Sequence, residues 1–128
     1  MKKVLIVDDV KGWRDFHFAV LDEIFEGNFE ADMAESAEEG YTKLLENAKS
    51  PYDIIITDLQ MEDSYAPKLA GEWLVEQIKS LPQYYKAKVI IVSASYNVHH
   101  IADAFRVFCI PKATARTCLS AYDEILKD

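Results

Sequence analysis

Five residues with chemically useful side chains follow short apolar segments of this chain. They are three aspartates, one serine and one lysine: Asp8, Asp9, Asp58, Ser93 and Lys112. Three carboxylates placed together repel one another unless a cation lies among them, and oxygen ligands without nearby Cys or His favour a hard divalent ion such as Mg²⁺. With that ion bound, one carboxylate can attack a phosphoryl group while the ion and the ammonium group neutralise its oxygens. The serine hydroxyl can donate a hydrogen bond to one of these oxygens.

The apolar segments before these residues have the pattern of buried strands. Residues 4–7, 54–56, 89–92 and 107–110 are continuously apolar rather than alternating. Continuous runs are typical of strands that are buried on both faces of a parallel sheet. Residues 29–34 alternate instead, which predicts an edge strand.

Between the strands, apolar residues recur at helical spacing. The stripes lie in residues 13–24, 37–48, 74–81, 98–105 and 118–125 and predict five helices. Gly27 and Asn28 end the first helix. Ser36 with Glu39 forms a capping box at the start of the second, and Thr114 can cap the fifth.

The resulting order is a strand followed by a helix, five times. Right-handed crossovers then give an α/β domain with a doubly wound parallel sheet. In such a sheet, ligands bind beyond the carboxyl ends of the strands, so the five polar side chains should meet at one edge. The connection formed by residues 62–70 is long for a loop between a strand and a helix.

Length and composition limit the class of protein. The chain has 128 residues, which suits one domain over residues 1–128, and its formal charge of −8 argues against direct nucleic-acid binding. No apolar run approaches the ~20 residues of a membrane span, and two acids interrupt the apolar start too early for a signal peptide. We therefore expect a soluble, cytoplasmic protein without membrane contact. Cys109 and Cys118 lie in apolar patterns and are expected to be buried and unpaired.

The segments 4–9, 53–61 and 89–94, together with Lys112, resemble the receiver domains of response regulators over essentially the whole chain. This resemblance implies a flavodoxin-like fold with strand order 2-1-3-4-5. It also implies that Asp58 accepts a phosphoryl group from a histidine kinase or phosphotransfer protein in a Mg²⁺-dependent reaction. Such a domain signals through a conformational change and is not an enzyme beyond its own phosphotransfer and autodephosphorylation.

The resemblance also implies individual roles. Mg²⁺ would be bound by three carboxylates and one backbone carbonyl: Asp8, Asp9, Asp58 and Gln60. Ser93 and Lys112 would contact the phosphoryl group and act in the switch, and Gln60 and Ser95 would tune its lifetime. A downstream protein would bind the face formed by the fourth helix, the fifth strand and the fifth helix.

Four positions depart from the family pattern. Pro111 precedes Lys112 where a proline normally follows the lysine, often across a cis bond; before Ala113 such a bond would cost about 3 kcal/mol or more, so this loop can aim Lys112 differently. Cys109 replaces the usual aromatic switch residue, Glu62 replaces a proline, and the 62–70 loop is longer than usual. These departures keep a second hypothesis open, a receiver-like interaction module that works without phosphorylation.

Two enzyme classes fit less well. A flavodoxin requires a Ser-, Thr- or Gly-rich phosphate loop after the first strand, where Asp8 and Asp9 would repel phosphate. A haloacid-dehalogenase-type phosphatase requires two acids separated by one residue, whereas these two are adjacent.

Overall fold

The computed structural model describes residues 1–127. In chain order the strands and helices are β1 (Lys2–Val7), α1 (Lys11–Phe25), β2 (Phe29–Ala34), α2 (Ala37–Glu46), β3 (Ile54–Thr57), α3 (Ala70–Ser80), β4 (Lys88–Ser93), α4 (Val98–Phe105), β5 (Phe108–Pro111), α5 (Lys112–Thr117) and α6 (Ser120–Leu126). A 3₁₀ turn, Pro82–Tyr84, precedes β4. No helix among these residues has the length and hydrophobicity that a membrane span requires.

The five strands form one parallel sheet in the order β2-β1-β3-β4-β5. This is the flavodoxin-like arrangement, and it confirms the predicted fold class and strand order. Val7 pairs with Thr57, which pairs with Ile91 in the next strand. The residues that follow these strands therefore lie side by side at the carboxyl edge of the sheet.

Two hydrophobic clusters cover the two faces of the sheet. Side chains of β1 alternate between them, since Leu5 and Val7 belong to the cluster that includes residues of α2, α3 and α4, while Val4 and Ile6 belong to the cluster that includes residues of α1, α5 and α6. All four are buried. A central strand that is buried on both faces has to be continuously apolar, which explains the pattern of the 4–7 segment.

Of the predicted signals at the helix ends, that of Gly27 is confirmed and that of Ser36 in part, while the cap at Thr114 is wrong, because α5 begins at Lys112 and Thr114 lies inside it. Helix α1 ends at Phe25, with Glu26 and Gly27 in the left-handed region at φ 54° and 78°. The Ser36 hydroxyl accepts a hydrogen bond from the Glu39 N–H at 3.0 Å. The Glu39 carboxylate reaches the Glu35 N–H rather than that of Ser36, so only half of the predicted capping box forms.

Three expectations about burial are wrong. Residues 107–110 were expected to be buried on both faces, but β5 is an edge strand and Phe108 is 46% exposed. The predicted fifth helix is two short helices, α5 and α6, and Cys118 at their junction is exposed rather than buried. Leu45 belongs to the apolar stripe of residues 37–48 and was expected to be buried, but it is exposed, because α2 buries only the face that carries Ala37, Gly40 and Leu44.

Candidate functional site

Three carboxylates meet at the carboxyl edge of the sheet. Asp8 and Asp9 follow β1 and Asp58 follows the adjacent β3, and each offers one carboxylate oxygen within 4.8 Å of the others. Asp8 is fully buried and Asp58 is 5% exposed, whereas Asp9 is exposed to solvent. This arrangement leaves the cluster open on one side, where a cation with bound water could enter.

Asp8 is only partly satisfied by the protein. Its Oδ1 accepts a hydrogen bond from the Val10 N–H at 2.9 Å, but its Oδ2 is buried and makes no hydrogen bond with any residue among 1–127. Burial raises the pKa of the Asp8 carboxyl group, and the Asp58 charge adds to this effect, while the Val10 N–H and the Lys112 ammonium group oppose it. A buried carboxylate oxygen that makes no hydrogen bond and has one ion-pair partner, Lys112 at 3.3 Å, is a suitable ligand for a divalent cation.

Both oxygens of Asp58 have partners. Oδ1 accepts a hydrogen bond from the Leu59 N–H at 2.7 Å, and Oδ2 accepts one from the Lys112 ammonium group at 3.0 Å. The Thr57 hydroxyl donates to the Asp58 carbonyl at 2.8 Å. The carboxylate is therefore oriented by its own loop and by the lysine that follows β5.

Lys112 reaches the site despite the unusual order of Pro111 and Ala113. Its Nζ lies 3.0 Å from Asp58 Oδ2 and 3.3 Å from Asp8 Oδ2. Among residues 1–127 the one cis peptide bond joins Ala66 and Pro67, so the bond between Lys112 and Ala113 is trans. The possibility that the altered loop aims this lysine elsewhere is therefore wrong for this structure.

The remaining predicted residues surround the carboxylates. Ser93 ends β4 at the same edge and is buried, and its hydroxyl accepts a hydrogen bond from the Ser95 N–H at 3.1 Å. The Ser95 hydroxyl donates to Asn97 Oδ1 at 2.6 Å. Gln60 is exposed and lines a cavity of about 260 Å³ next to the 62–70 loop. The metal-binding role of its carbonyl stays a prediction.

Two departures from the family pattern have defined contacts. Cys109 is half-buried, and its thiol lies 3.2 Å from His99 Nδ1 on α4. Burial raises the pKa of this thiol, and the charge of Asp103 adds to the effect. The Glu62 carboxylate accepts hydrogen bonds from the Ala37 and Glu38 N–H groups at 2.8 and 3.2 Å, so the long loop is fastened to the start of α2.

Sequence reasoning missed three residues that shape the site. A Cβ on Gly71 would lie 1.8 Å from the Asp58 carbonyl oxygen, so only glycine lets α3 begin this close to the acid. Arg14 is buried and donates from its guanidinium to the Asp8 carbonyl at 2.7 Å. The Trp13 ring lies against the Lys112 ammonium group. For Arg14, the sequence offered one signal, a charged residue beside the apolar stripe of the first helix.

The fold and the site together define an open, doubly wound α/β domain. It carries a cluster of three carboxylates and a lysine at the carboxyl edge of its sheet. The response regulator receiver domain family matches residues 4–116 of this chain. The chain therefore belongs to the receiver domain family of two-component signalling. Members of this family interact with histidine kinases and with downstream partners.

One curated relative is similar in sequence, and two solved structures share the fold. The gliding motility regulatory protein of Myxococcus xanthus is 35% identical over 92 residues, which cover 72% of this chain and 10% of that protein. The chain thus spans about a tenth of the length of that relative. A signal receiver domain of a histidine kinase from Clostridium thermocellum superposes with a TM-score of 0.76 at 22% identity, covering 99% of this chain and 98% of that one. The chemotaxis response regulator CheY4 of Vibrio cholerae gives 0.73 at 22% identity, covering 98% and 99%.

Proposed function

We propose that Asp58 accepts a phosphoryl group from a phosphohistidine of a histidine kinase or phosphotransfer protein. One observation carries this proposal: the Asp58 carboxylate accepts a hydrogen bond from the Lys112 ammonium group at 3.0 Å and lies in a cluster with the carboxylates of Asp8 and Asp9. A carboxylate placed between an ammonium group and a cation site suits attack on a phosphoryl group whose negative charge must be neutralised.

The acidic cluster fits Mg²⁺. Asp8, Asp9 and Asp58 would bind it through carboxylate oxygens and Gln60 through its carbonyl, with water completing the shell. When bound, the ion supplies positive charge against the phosphoryl oxygens. The buried Oδ2 of Asp8 would be one of these ligand atoms, because among residues 1–127 it makes no hydrogen bond and has only the ion pair with Lys112 at 3.3 Å.

The chain's own residues account for the transfer. An oxygen of Asp58 attacks phosphorus, and the bond from phosphorus to the donor imidazole nitrogen breaks. The electron pair of that bond stays on the imidazole, which takes up a proton from water. Lys112 neutralises one equatorial phosphoryl oxygen, and the Ser93 hydroxyl donates a hydrogen bond to another. In this structure the Ser93 hydroxyl oxygen accepts a hydrogen bond from the Ser95 N–H.

The phosphoryl group would be lost by hydrolysis, in which water attacks the phosphorus of the acyl phosphate. Gln60 and Ser95, which lie two positions after Asp58 and Ser93 along the chain, would tune the lifetime of the phosphorylated state. The domain would catalyse only these two reactions on itself and would therefore act in signalling. We propose that it spans residues 1–128 and works in the cytoplasm. The phosphorylated state would bind a downstream protein through the face formed by α4, β5 and α5, without direct contact with nucleic acid or membrane.

A receiver-like module that works without phosphorylation is the second candidate. The observation that favours it is Cys109, which occupies the switch position with a small, half-buried side chain bonded to His99. A cysteine side chain is much smaller than an aromatic ring. Its movement between two positions would therefore change the surface of the domain less.

Intact-mass measurement with acetyl phosphate decides between the two. We expect a single phosphoryl adduct that requires Mg²⁺ and is absent from Asp58→Asn. Asp53→Asn is the matched control, since Asp53 is an exposed acid in front of β3, and it should be phosphorylated like the unmodified protein. A folded protein without a Mg²⁺-dependent adduct would favour the phosphorylation-independent module.

A further inference from the structure

The Trp13 ring has two cationic neighbours from the same short helix. The Lys112 ammonium group lies 4.8 Å from the ring centroid and the Arg116 guanidinium carbon lies 4.9 Å from it. Lys112 and Arg116 stand one turn apart on α5, which has six residues. Both distances are within the range of a cation–π interaction, in which tryptophan is the strongest aromatic partner. Trp13 therefore fastens the first turn of α5 to α1.

The ring itself is held firmly. Trp13 is 9% exposed and contacts Phe16 and His17 with ring centroids at 5.4 and 5.7 Å. His17 Nδ1 and the Tyr122 hydroxyl lie 3.1 Å apart, and both residues are buried. The indole thus rests on an aromatic cluster that joins α1 to α6, and it offers a rigid surface to the lysine.

Besides the Trp13 ring, the described contacts of Lys112 within residues 1–127 are with two carboxylates. It begins α5, where Pro111 provides no side-chain cap, and its four-carbon side chain loses considerable rotamer entropy when it is fixed. Its remaining contacts in the site are with Asp58 and Asp8, the two carboxylates that would change partners when a cation and a phosphoryl group bind. The Trp13 ring is an uncharged contact of the ammonium group, so this contact does not depend on whether a cation or a phosphoryl group is bound.

We propose that Trp13 is a positioning residue, which holds the Lys112 ammonium group at the acidic site while Asp58 gains its phosphoryl group. This inference rests on the proposed function, because the lysine matters for the rate only if the transfer occurs. Trp13 acts through Lys112 and does not itself touch the phosphoryl group.

The test is a double-mutant cycle on the rate of Mg²⁺-dependent phosphorylation by acetyl phosphate. Trp13→Leu should slow the reaction by between about twofold and thirtyfold, the range that corresponds to a cation–π interaction. Trp13→Phe, which keeps a ring, should lose less. In a Lys112→Met background, Trp13→Leu should cause no further loss. Phe18→Leu is the matched control, because Phe18 is an exposed aromatic residue of the same helix that contacts Phe29 instead, and it should react like the unmodified protein.

An equal loss from Trp13→Leu with and without Lys112 would overturn the proposal, since it would indicate a purely structural effect. NMR of the Lys112 side chain provides a second measurement that does not depend on phosphorylation. We expect ring-current-shifted Cε protons that move to ordinary positions in Trp13→Leu; unshifted protons in the unmodified protein would also overturn the proposal. If the unmodified protein forms no adduct, the proposed function fails, while the NMR result still decides whether Trp13 holds Lys112.

Discussion

At the scale of single residues, the site depends on a very close approach between α3 and the loop that carries Asp58. The Gly71 N–H donates to the Leu59 carbonyl at 2.9 Å, and its Cα faces the backbone of Asp58. This contact fixes the direction of the loop in which the Leu59 N–H bonds Asp58 Oδ1. The helix thus supports the acid through main-chain atoms alone.

We expect Gly71→Ala to damage both stability and phosphorylation. The new Cβ would lie 1.8 Å from the Asp58 carbonyl oxygen, so α3 or the Asp58 loop must shift, and overpacking of this kind costs about 1–3 kcal/mol. Denaturant unfolding measures that cost. Gly12→Ala in α1 is the control. No other group within residues 1–127 lies within 4 Å of the added Cβ, so the free energy of unfolding should be unchanged or higher by at most about 1 kcal/mol. Equal effects of the two substitutions would contradict this account.

The site residues that sequence reasoning found and those it missed differ in a physical respect. Asp8 and Asp58 directly follow β1 and β3, and Ser93 is the last residue of β4, so their position along the chain predicts their place at the sheet edge. Gly71 and Trp13 matter because of what the fold brings against them, the Asp58 backbone and the Lys112 ammonium group. Such contacts join segments that are distant along the chain, and no local pattern encodes them.

At the scale of elements, the 62–70 loop is an ordered connection with two anchors. Glu62 bonds the first N–H groups of α2, and the Tyr65 ring stacks on Trp73 of α3 with centroids 4.3 Å apart. A third contact is the ion pair between Lys68 and Glu76. The added length of the loop is therefore used to connect α2 with α3 beside the acidic site.

Removal of the first anchor should destabilise the domain. In Glu62→Ala, the Ala37 and Glu38 N–H groups lose their carboxylate acceptor, which costs about 0.5–2 kcal/mol by analogy with a lost helix cap. Asp63→Ala is the control, because Asp63 is exposed and its side chain makes no hydrogen bond within residues 1–127. The difference between the two variants in thermal unfolding tests the assignment. If Glu62→Ala is as stable as Asp63→Ala, the Glu62 carboxylate does not anchor the loop to α2.

The strands and most helices follow from the sequence because their patterns match their surroundings. Continuous runs predict β1, β3 and β4, which are buried on both faces. Residues 107–110 have the same pattern, yet they form the edge strand β5, because the position of a strand in the sheet is a property of the whole fold. The break between α5 and α6 was missed for a related reason, since the apolar stripe of residues 118–125 begins before α6 does.

At the scale of the whole molecule, a buried histidine links stability to pH. Burial lowers the pKa of His17 to about 4 from its ordinary 6.5, and the positive charge of Lys112 adds to this effect. The residues around the ring are Trp13, Phe16 and Tyr122, which carry no charge to offset a proton. The folded protein therefore keeps His17 neutral at pH values where the unfolded chain binds a proton.

The sign of the pH dependence follows from this difference. Above pH 6.5 both states are neutral at His17, so its contribution is constant. Between pH 6.5 and about 4, the unfolded state binds more protons and stability falls by about 1.4 kcal/mol per pH unit. Relative to His17→Gln, the unmodified protein should lose about 2 kcal/mol more between pH 7 and pH 5 in denaturant unfolding. Parallel stability curves for the two proteins would contradict the prediction.

The central claim is that Asp58 is the residue that carries the phosphoryl group, and chemical mapping tests it most directly. The protein is phosphorylated with acetyl phosphate and Mg²⁺, the acyl phosphate is reduced with borohydride, and the peptides are sequenced by mass spectrometry. Reduction converts a phosphorylated aspartate to homoserine, and we predict homoserine at position 58 with unmodified Asp8 and Asp9. Homoserine at either of those two positions, or at none of the three, would contradict the account.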